Sequence, residues 1–231
     1  MPKLSKRVRE NTKLMLSAPV EAAEAIKTLR TFKAPKFDQT VNVVMHLGLD
    51  TKQADQAIRG SVSLPRGIGK AKRVVAFCPS DQVKEALEAG AVKAGGEDLV
   101  DEIEKGFFDF DVAVSTPDMM RVISKLGRVL GPKGLMPSPK AGSVTKDVIG
   151  AVREFAAGKL EYRADKGGNV HGILGKMSFD DDALLENLNH FIATIEKAKP
   201  STVKGTYVKK ITVSGTMTPG VQIAVAAAAD E

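Results

Sequence analysis

The sequence predicts an α+β domain built from both ends of the chain, with a smaller α/β domain between them. In the middle, RVVAFCPSDQVKEAL from Arg73 and FDVAVSTPDMMRVISKL from Phe110 share one pattern: an apolar run, then Ser or Thr beside Pro and Asp, then helix-period residues. Apolar strands that alternate with helices are typical of a parallel sheet covered on both faces. The flanks instead show several strand patterns around two helices, which is typical of an antiparallel α+β layer.

The N-terminal flank contributes one helix and one strand. PVEAAEAIKTLRTF, residues 19–32, has the apolar spacing of a helix, and TVNVVMHLGL from Thr40 has strand character. The chain then reaches LPRGIGKAK, residues 64–72, whose glycines suit a crossing into the middle domain. We place the first boundary after residue 67.

The middle segment, residues 68–158, is predicted to hold the α/β domain. In its second strand-to-helix unit Thr116 can cap a helix, Pro117 suits the first turn, and Asp118 complements the helix dipole. A third helix is predicted over residues 145–157. The chain then leaves through FAAGKLEY, residues 155–162, whose glycine also suits a hinge.

The C-terminal flank, residues 159–231, completes the α+β layer. Its acid-led helix DDDALLENLNHFIATIEKA lies among four strand segments, and acids at a helix start are explained by the helix dipole. The strand segments are KLEYRAD, NVHGILGKMSF, GTYVKKITVS and GVQIAVA.

The charge distribution points to a polyanionic partner. The net charge is +6, and all of it falls in residues 1–67, where 12 basic residues accompany 6 acidic ones. The chain has no Trp, two Tyr and nine Phe, which disfavours a single-strand binder that stacks bases on a row of rings. Its one cysteine, Cys78, excludes an intramolecular disulfide and a Cys-rich metal site, and its apolar neighbours predict burial.

One stretch, LGRVLGPKGLMPSPKAGSVTK over residues 126–146, combines four glycines, three prolines, four basic residues and no acid. Glycine and proline at this density predict a shaped loop without regular structure. Such a loop serves either an anionic ligand or a basic surface connection, and composition alone leaves both open.

The sequence motifs that are typical of enzymes are incomplete in this chain. RGIGKAKR lacks the third glycine of a dinucleotide fingerprint and precedes a strand, while GPKG lacks the P-loop spacing. His46, His171 and His190 fall in separate predicted elements, and DDD at 180–182 is better explained by a helix start than by a metal. We therefore predict no catalytic residue, metal or cofactor. The apolar run VQIAVAAAA is too short to span a membrane. An α/β enzyme acting on a phosphorylated small molecule is the alternative.

Four long blocks, in order, closely resemble the ribosomal protein L-one family of the large subunit, and the similarity runs over nearly the whole chain. The segments TPDMM, GLMPSPK and ALLENL are most similar to cyanobacterial and chloroplast members. This resemblance implies that the protein belongs to a ribosome in a bacterial cytoplasm or a plastid stroma. The blocks are LGLDTKQADQAIRGSVSLPRGIGK (47–70), LGRVLGPKGLMPSPKAGSVT (126–145), YRADKGGNVHGILGK (162–176) and KGTYVKKITVSGTMTPG (204–220).

The resemblance implies a two-layer α+β RNA-binding domain from both chain ends and an inserted three-layer, Rossmann-like α/β domain on a two-stranded hinge. It implies binding to the ribosomal RNA of the mobile stalk at the tRNA exit site, and assistance to the release of deacylated tRNA. It also implies that the same surface represses translation of the protein's own messenger RNA. It implies no enzymatic activity.

The family's RNA contacts carry over onto APKF and GTMTPG. They give Lys36 for phosphates, Phe37 and Met217 as apolar surface for ribose or bases, and Thr216 for a 2′-hydroxyl. Thr218 stands where many relatives have Gly, so its side chain puts that close backbone contact in question. YRADKGG adds Arg163, Lys166 and Gly168 to the expected RNA contacts. In the loop at 126–146 we expect a secondary basic site formed by Arg128, Lys133 and Lys140.

Overall fold

The computed structural model describes residues 5–16, 18–51 and 53–225. The chain folds into two compact units, Met1–Gly69 with Tyr162–Glu231, and Lys70–Glu161. We call the first the terminal unit, because it contains both chain ends, and the second the central unit. The mixed α/β content with several sheets agrees with the predicted class. The strands in the described residues are β1 (Thr40–Leu47), β2 (Arg59–Val62), β3 (Val74–Phe77), β4 (Ala91–Gly95), β5 (Val112–Ser115), β6 (Leu160–Arg163), β7 (Asn169–Lys176), β8 (Val208–Gly215) and β9 (Val221–Ile223).

The helices differ widely in length, from a single turn to the long α8, and short 3-10 turns lie between some of them. The α-helices in the described part of the chain are α1 (Lys6–Lys13), α2 (Ala22–Thr31), α3 (Val83–Glu88), α4 (Glu97–Glu104), α5 (Met120–Ile123), α6 (Gly127–Leu130), α7 (Val148–Ala156) and α8 (Asp181–Lys197).

The terminal unit is built on a four-stranded antiparallel sheet in the order β7-β1-β8-β9. In β1 every second residue is buried, beginning with Val41, as the alternation of its sequence requires. This buried face meets helix α8, because a Cβ on Gly172 of β7 would lie 2.6 Å from the Phe191 ring. Strands β2 and β6 form a separate two-stranded sheet.

The central unit is a parallel sheet in the order β4-β3-β5 with helices on both faces. Alternate residues of β3 serve the two faces: Val74 and Ala76 pack with residues of α3 and α7, whereas Val75 and Phe77 pack with residues of α4 and α5. Cys78 is fully buried on the first face, as predicted, and burial raises the pKa of its thiol.

Several boundaries differ from the prediction. The helix after β5 begins at Met120 and not at Pro117, although the Thr116 hydroxyl does accept a bond from the Met119 N–H at 3.4 Å. Helix α7 begins at Val148, because the Asp147 carboxylate caps it by accepting from the Gly150 N–H at 2.9 Å. Five of the described α-helices and strands were not predicted: α1, β2, β4, α4 and α6.

The stretch at 126–146 is not wholly irregular, which corrects the sequence prediction. It opens with the single-turn helix α6, because Leu126 and Leu130 are both fully buried and one helical turn places them on the same face. Burial of these two leucines outweighs the poor helix propensity of Gly127 and Gly131. The part after Gly131 is loop with one 3-10 turn at Pro139–Ala141.

At the C-terminal side, α8 begins at Asp181 with acids in its first turn, as predicted. Strand β9 ends at Ile223, and residue 226 of the predicted GVQIAVA strand lies outside the described residues. Gly158 follows α7 with φ +110, a conformation that favours glycine, and its N–H donates to the Phe155 carbonyl at 3.1 Å.

Candidate nucleic-acid interface

The loop between α2 and β1 presents Lys36 and Phe37 to solvent. It is anchored at its start by Phe32, which is buried, and it leads into β1 at Thr40. Lys36 is exposed, and 53% of the Phe37 surface remains accessible. Phe37 therefore lies outside the core.

The turn after β8 presents Met217 in the same way, with 50% of its surface accessible. The turn is closed by Thr218, whose hydroxyl accepts a hydrogen bond from the Gly215 N–H at 2.8 Å. The Thr218 side chain is half-buried in this role. The Thr218 side chain is thus directed into the turn.

A buried glutamine, Gln39, joins the loop and the turn. Its Oε1 accepts from the Met217 N–H at 2.9 Å, and its backbone carbonyl accepts from the Met177 N–H at 2.8 Å. The Thr216 hydroxyl accepts a hydrogen bond from the Thr40 N–H at 3.1 Å and donates its own hydrogen to the Thr40 carbonyl at 3.3 Å. One lone pair of the hydroxyl oxygen is therefore left for a further donor. These bonds bring five predicted residues together as a group that we call the Thr40-end cluster: Lys36, Phe37, Thr216, Met217 and Thr218.

Sequence reasoning missed Gln39. It has the same parity as Val41 and Val43, the inward-facing residues of β1, so it is a polar residue at a position where the alternation predicts an apolar one. A buried polar side chain needs hydrogen-bond partners. In the described structure the Gln39 Oε1 has the Met217 N–H of the exposed turn as its partner, whereas the buried Nε2 has none. That break in the alternation was the available signal.

Arg163, Lys166 and Gly168 lie at the opposite end of β1. Thr40 pairs with Lys176 whereas His46 pairs with Asn169, so the two groups are separated by six residues of strand, about 20 Å. Arg163 and Lys166 are exposed. The structure therefore assembles five of the eight predicted contacts in one place and sets the other three at a distance.

Gly168 is buried, and both of its backbone groups are used within the protein. Its N–H donates to the Asp165 carbonyl at 3.1 Å, and its carbonyl accepts from the Leu47 N–H at 2.9 Å. With φ +75 and the Leu47 carbonyl 3.0 Å from the position of a Cβ, this residue shapes the turn and has no free backbone N–H to offer a ligand.

The turn that carries Lys166 is held by the Asp165 carboxylate. Asp165 accepts from the backbone N–H groups of Asn169 and Gly167, each at 2.8 Å. Hydrogen bonds from the backbone and side chain of Asn169 lower the pKa of Asp165 to about 2. The carboxylate therefore stays ionised and fixes the backbone of the turn, and within the part of the chain that the structure describes it forms no ion pair with Lys166.

The predicted secondary basic site lies in the central unit. Arg128 belongs to α6, while Lys133 and Lys140 follow it, and all three are exposed. The Lys133 Nζ lies 3.3 Å from the centre of the Phe108 ring, so this lysine makes an intramolecular cation–π contact.

The three histidines do not form a joint site. The His46 Nδ1 lies 2.9 Å from Asn169 Oδ1, and His171 Nε2 lies 3.5 Å from an Asp165 oxygen. Over residues 5–16, 18–51 and 53–225, no group of three His, Cys, Asp or Glu side chains is placed to hold a metal ion. Within the same residues, no helix combines the length and apolar character that a membrane span needs.

The sequence profile of the ribosomal protein L1p/L10e family matches residues 29–219. The chain belongs to this family. The match covers most of the chain and includes the Thr40-end cluster, Arg163, Lys166, Gly168 and the basic loop of the central unit. The protein is accordingly a ribosomal protein of the large subunit that binds ribosomal RNA and serves translation, and the resemblance found in its sequence is confirmed. The family is one of structural RNA-binding proteins.

Proposed function

We propose that the Thr40-end cluster is the main site at which this L1-family protein binds the ribosomal RNA of the stalk at the tRNA exit site. The observation that carries the proposal is the exposure of Phe37 and Met217 on a backbone held by buried Gln39. Two large apolar side chains that are about half exposed to water gain free energy when a partner covers them.

The chemistry of the cluster suits RNA more than a small metabolite. Lys36 can neutralise a phosphate, and the flat Phe37 ring and flexible Met217 chain can cover a ribose or an unstacked base. The remaining lone pair of the Thr216 hydroxyl can accept from a 2′-hydroxyl, the group that distinguishes RNA from DNA. The turn positions these groups before binding, so little ordering entropy is lost on association.

Arg163 and Lys166 serve in this proposal as a second contact farther along the RNA. At about 20 Å from the Thr40-end cluster, they cannot act on the same nucleotide, but they can meet phosphates of a stalk segment that follows the sheet. Gly168 contributes the shape of their turn.

The wider roles are proposed by analogy with other members of the family. The terminal unit is proposed as the RNA-binding domain and the central unit as the inserted domain, joined by a hinge at the glycines Gly67, Gly69 and Gly158. Movement of the stalk would help deacylated tRNA to leave the exit site, with Arg128, Lys133 and Lys140 as a secondary basic surface. The same RNA site would bind the protein's own messenger and repress its translation. We place the protein on the ribosomes of a bacterial cytoplasm or a plastid stroma.

The test is retention of a stalk fragment of large-subunit RNA by the purified full-length chain in the presence of excess unrelated RNA. We expect the stalk fragment to be retained and to be displaced only by itself. Equal displacement by unrelated RNA would refute selective stalk binding. Turnover of a phosphorylated small molecule without selective RNA binding would instead support the alternative of an α/β enzyme.

A further inference from the structure

Helix α1 carries an exposed basic stripe. Lys6, Arg9 and Lys13 are spaced at three and four residues, which places them on one side of a helix, and all three are exposed. The other side of the helix holds the half-buried Arg7 and Val8 and the buried Asn11. We call Lys6, Arg9 and Lys13 the α1 stripe.

The positive charge of the stripe is not balanced by neighbouring acids. Among the residues that the structure describes, none of the ion pairs includes a member of the stripe, and the one acid on this side, Glu10, pairs with Lys33 at 3.0 Å. Lys6 lies in the first turn of α1, which has no acidic residue. A cation there opposes the helix dipole, so the free helix retains an unfavourable charge at its N-terminal end.

Helix α1 is fixed next to the loop of the Thr40-end cluster. The Asn11 side chain forms two hydrogen bonds with the Lys33 backbone: its Oδ1 accepts from the Lys33 N–H at 2.8 Å, and its Nδ2 donates to the Lys33 carbonyl at 3.3 Å. Lys36 follows three residues later, within about 10 Å along the chain. These bonds fix the helix that carries the stripe beside the start of the loop that presents Lys36 and Phe37, with the stripe on the side of α1 that faces away from Lys33.

We infer that the α1 stripe binds the phosphate backbone of the RNA held by the Thr40-end cluster and extends that site by one helix. This inference rests on the proposed function. Lys6 and Lys13 are about 10 Å apart along the helix axis, a span that reaches neighbouring phosphates of one strand. Phosphates at the start of α1 would also offset the unfavourable charge of its first turn. The stripe contributes affinity without reading the base sequence.

The test compares two triple variants of the full-length protein. Lys6→Gln, Arg9→Gln and Lys13→Gln removes the stripe and leaves Asn11 in place. The matched control, Lys84→Gln, Lys105→Gln and Arg153→Gln, removes the same charge from exposed positions of the central unit, away from every residue that the proposal assigns to RNA. Binding to the stalk RNA fragment is measured over a salt series, with circular dichroism as the folding control.

We expect the stripe variant to lose affinity on the order of 50-fold at about 150 mM salt, and its slope of log K against log salt to fall by about two to three units. The control should change the slope by less than one unit. Equal losses in both variants would show that net charge alone matters and would overturn the inference. So would an unchanged slope in the stripe variant.

Two further outcomes separate this inference from the proposed function. If Met217→Asp abolishes selective binding while the stripe variant binds normally, the stripe is not part of the site but the proposed function stands. If the unaltered protein shows no preference for stalk RNA, the proposed function fails first. Should the stripe variant keep its RNA affinity but lose adsorption to phosphatidylserine vesicles that the unaltered protein shows, the stripe serves a membrane surface and the inference is wrong.

Discussion

Replacing Met217 by aspartate is expected to weaken stalk binding strongly while leaving the fold intact. The Met217 side chain is half-exposed, and the bond from its backbone N–H to Gln39 does not depend on the side chain. An aspartate can therefore occupy the turn in the free protein at little cost. The perturbation is confined to the face that the proposal assigns to RNA.

The size of the effect follows from two terms. Full burial of a methionine side chain contributes about 1.5 to 3 kcal/mol, and because half of Met217 is already covered, about 1 kcal/mol remains for RNA to gain. A carboxylate about 4 Å from a phosphate adds repulsion of about 1 kcal/mol in water and about 4 kcal/mol at the lower effective dielectric of a protein surface. The total, roughly 2 to 5 kcal/mol, corresponds to a loss of about 30-fold to 4,000-fold in affinity.

Filter binding to the stalk fragment, with circular dichroism as the folding control, measures this loss. Met217→Leu is the matched control, because it keeps an apolar side chain of similar volume and should change affinity by less than about 3-fold. Lys133→Ala should lower the salt slope by about one unit at most. If Met217→Asp loses no more affinity than Lys133→Ala, or if Met217→Leu loses as much as Met217→Asp, the assigned contact is wrong.

Three further predictions concern the framework of the site. Gln39→Ala should lower the free energy of unfolding in urea by about 1 to 3 kcal/mol, because it leaves the Met217 N–H without its partner. The control Gln222→Ala on β9 should change that free energy by less than about 0.5 kcal/mol. Equal effects of the two substitutions would contradict the role of Gln39. A chain in which a short Gly/Ser linker replaces residues 70–159 should fold and retain stalk binding, and a folded product with no preference for stalk RNA would move the main site to the central unit. The ionised Asp165 carboxylate stabilises the fold at pH values above its ordinary pKa of 3.8, and this stabilisation is lost as the pH falls through about 2. The difference in melting temperature between the unaltered protein and Asp165→Asn should therefore shrink between pH 4 and pH 2. A difference that does not depend on pH would refute this prediction.

The elements with a clear period were predictable from the sequence. The alternation of β1, the acid-led start of α8 and the two strand-to-helix units needed only local pattern. Strand β4 and helix α4 were not predicted from AVKAGGEDLVDEIEKG. Two glycines at the end of the strand weaken its strand pattern, and the many acidic residues of the helix obscure the helical spacing of Leu99, Val100 and Ile103. Helix α6 was not predicted because its glycines have a low helix propensity. In the folded protein the burial of Leu126 and Leu130 outweighs that propensity.

The residues of the proposed site came from the resemblance, whereas their geometry could not be predicted from the sequence. The resemblance supplied Lys36, Phe37 and Thr216–Thr218, and without it Phe37 and Met217 would have been assigned to the core. Their exposure depends on hydrogen bonds between positions far apart in sequence, such as that from Met217 to Gln39, and local pattern carries no information on such pairs. The inward position of Gly168 was hidden for the same reason, because it depends on the Leu47 carbonyl.

The most direct test of the Thr40-end cluster is hydroxyl-radical footprinting of the full-length protein, free and bound to the stalk fragment, with oxidation read by mass spectrometry. Phe37 and Met217 are 53% and 50% exposed, and Leu87 of the central unit, at 45%, provides the internal reference. We predict that bound RNA slows the oxidation of Phe37 and Met217 severalfold, because it removes most of their accessible area, and leaves Leu87 unchanged. Equal oxidation of Phe37 and Met217 in the free and bound protein would contradict the account.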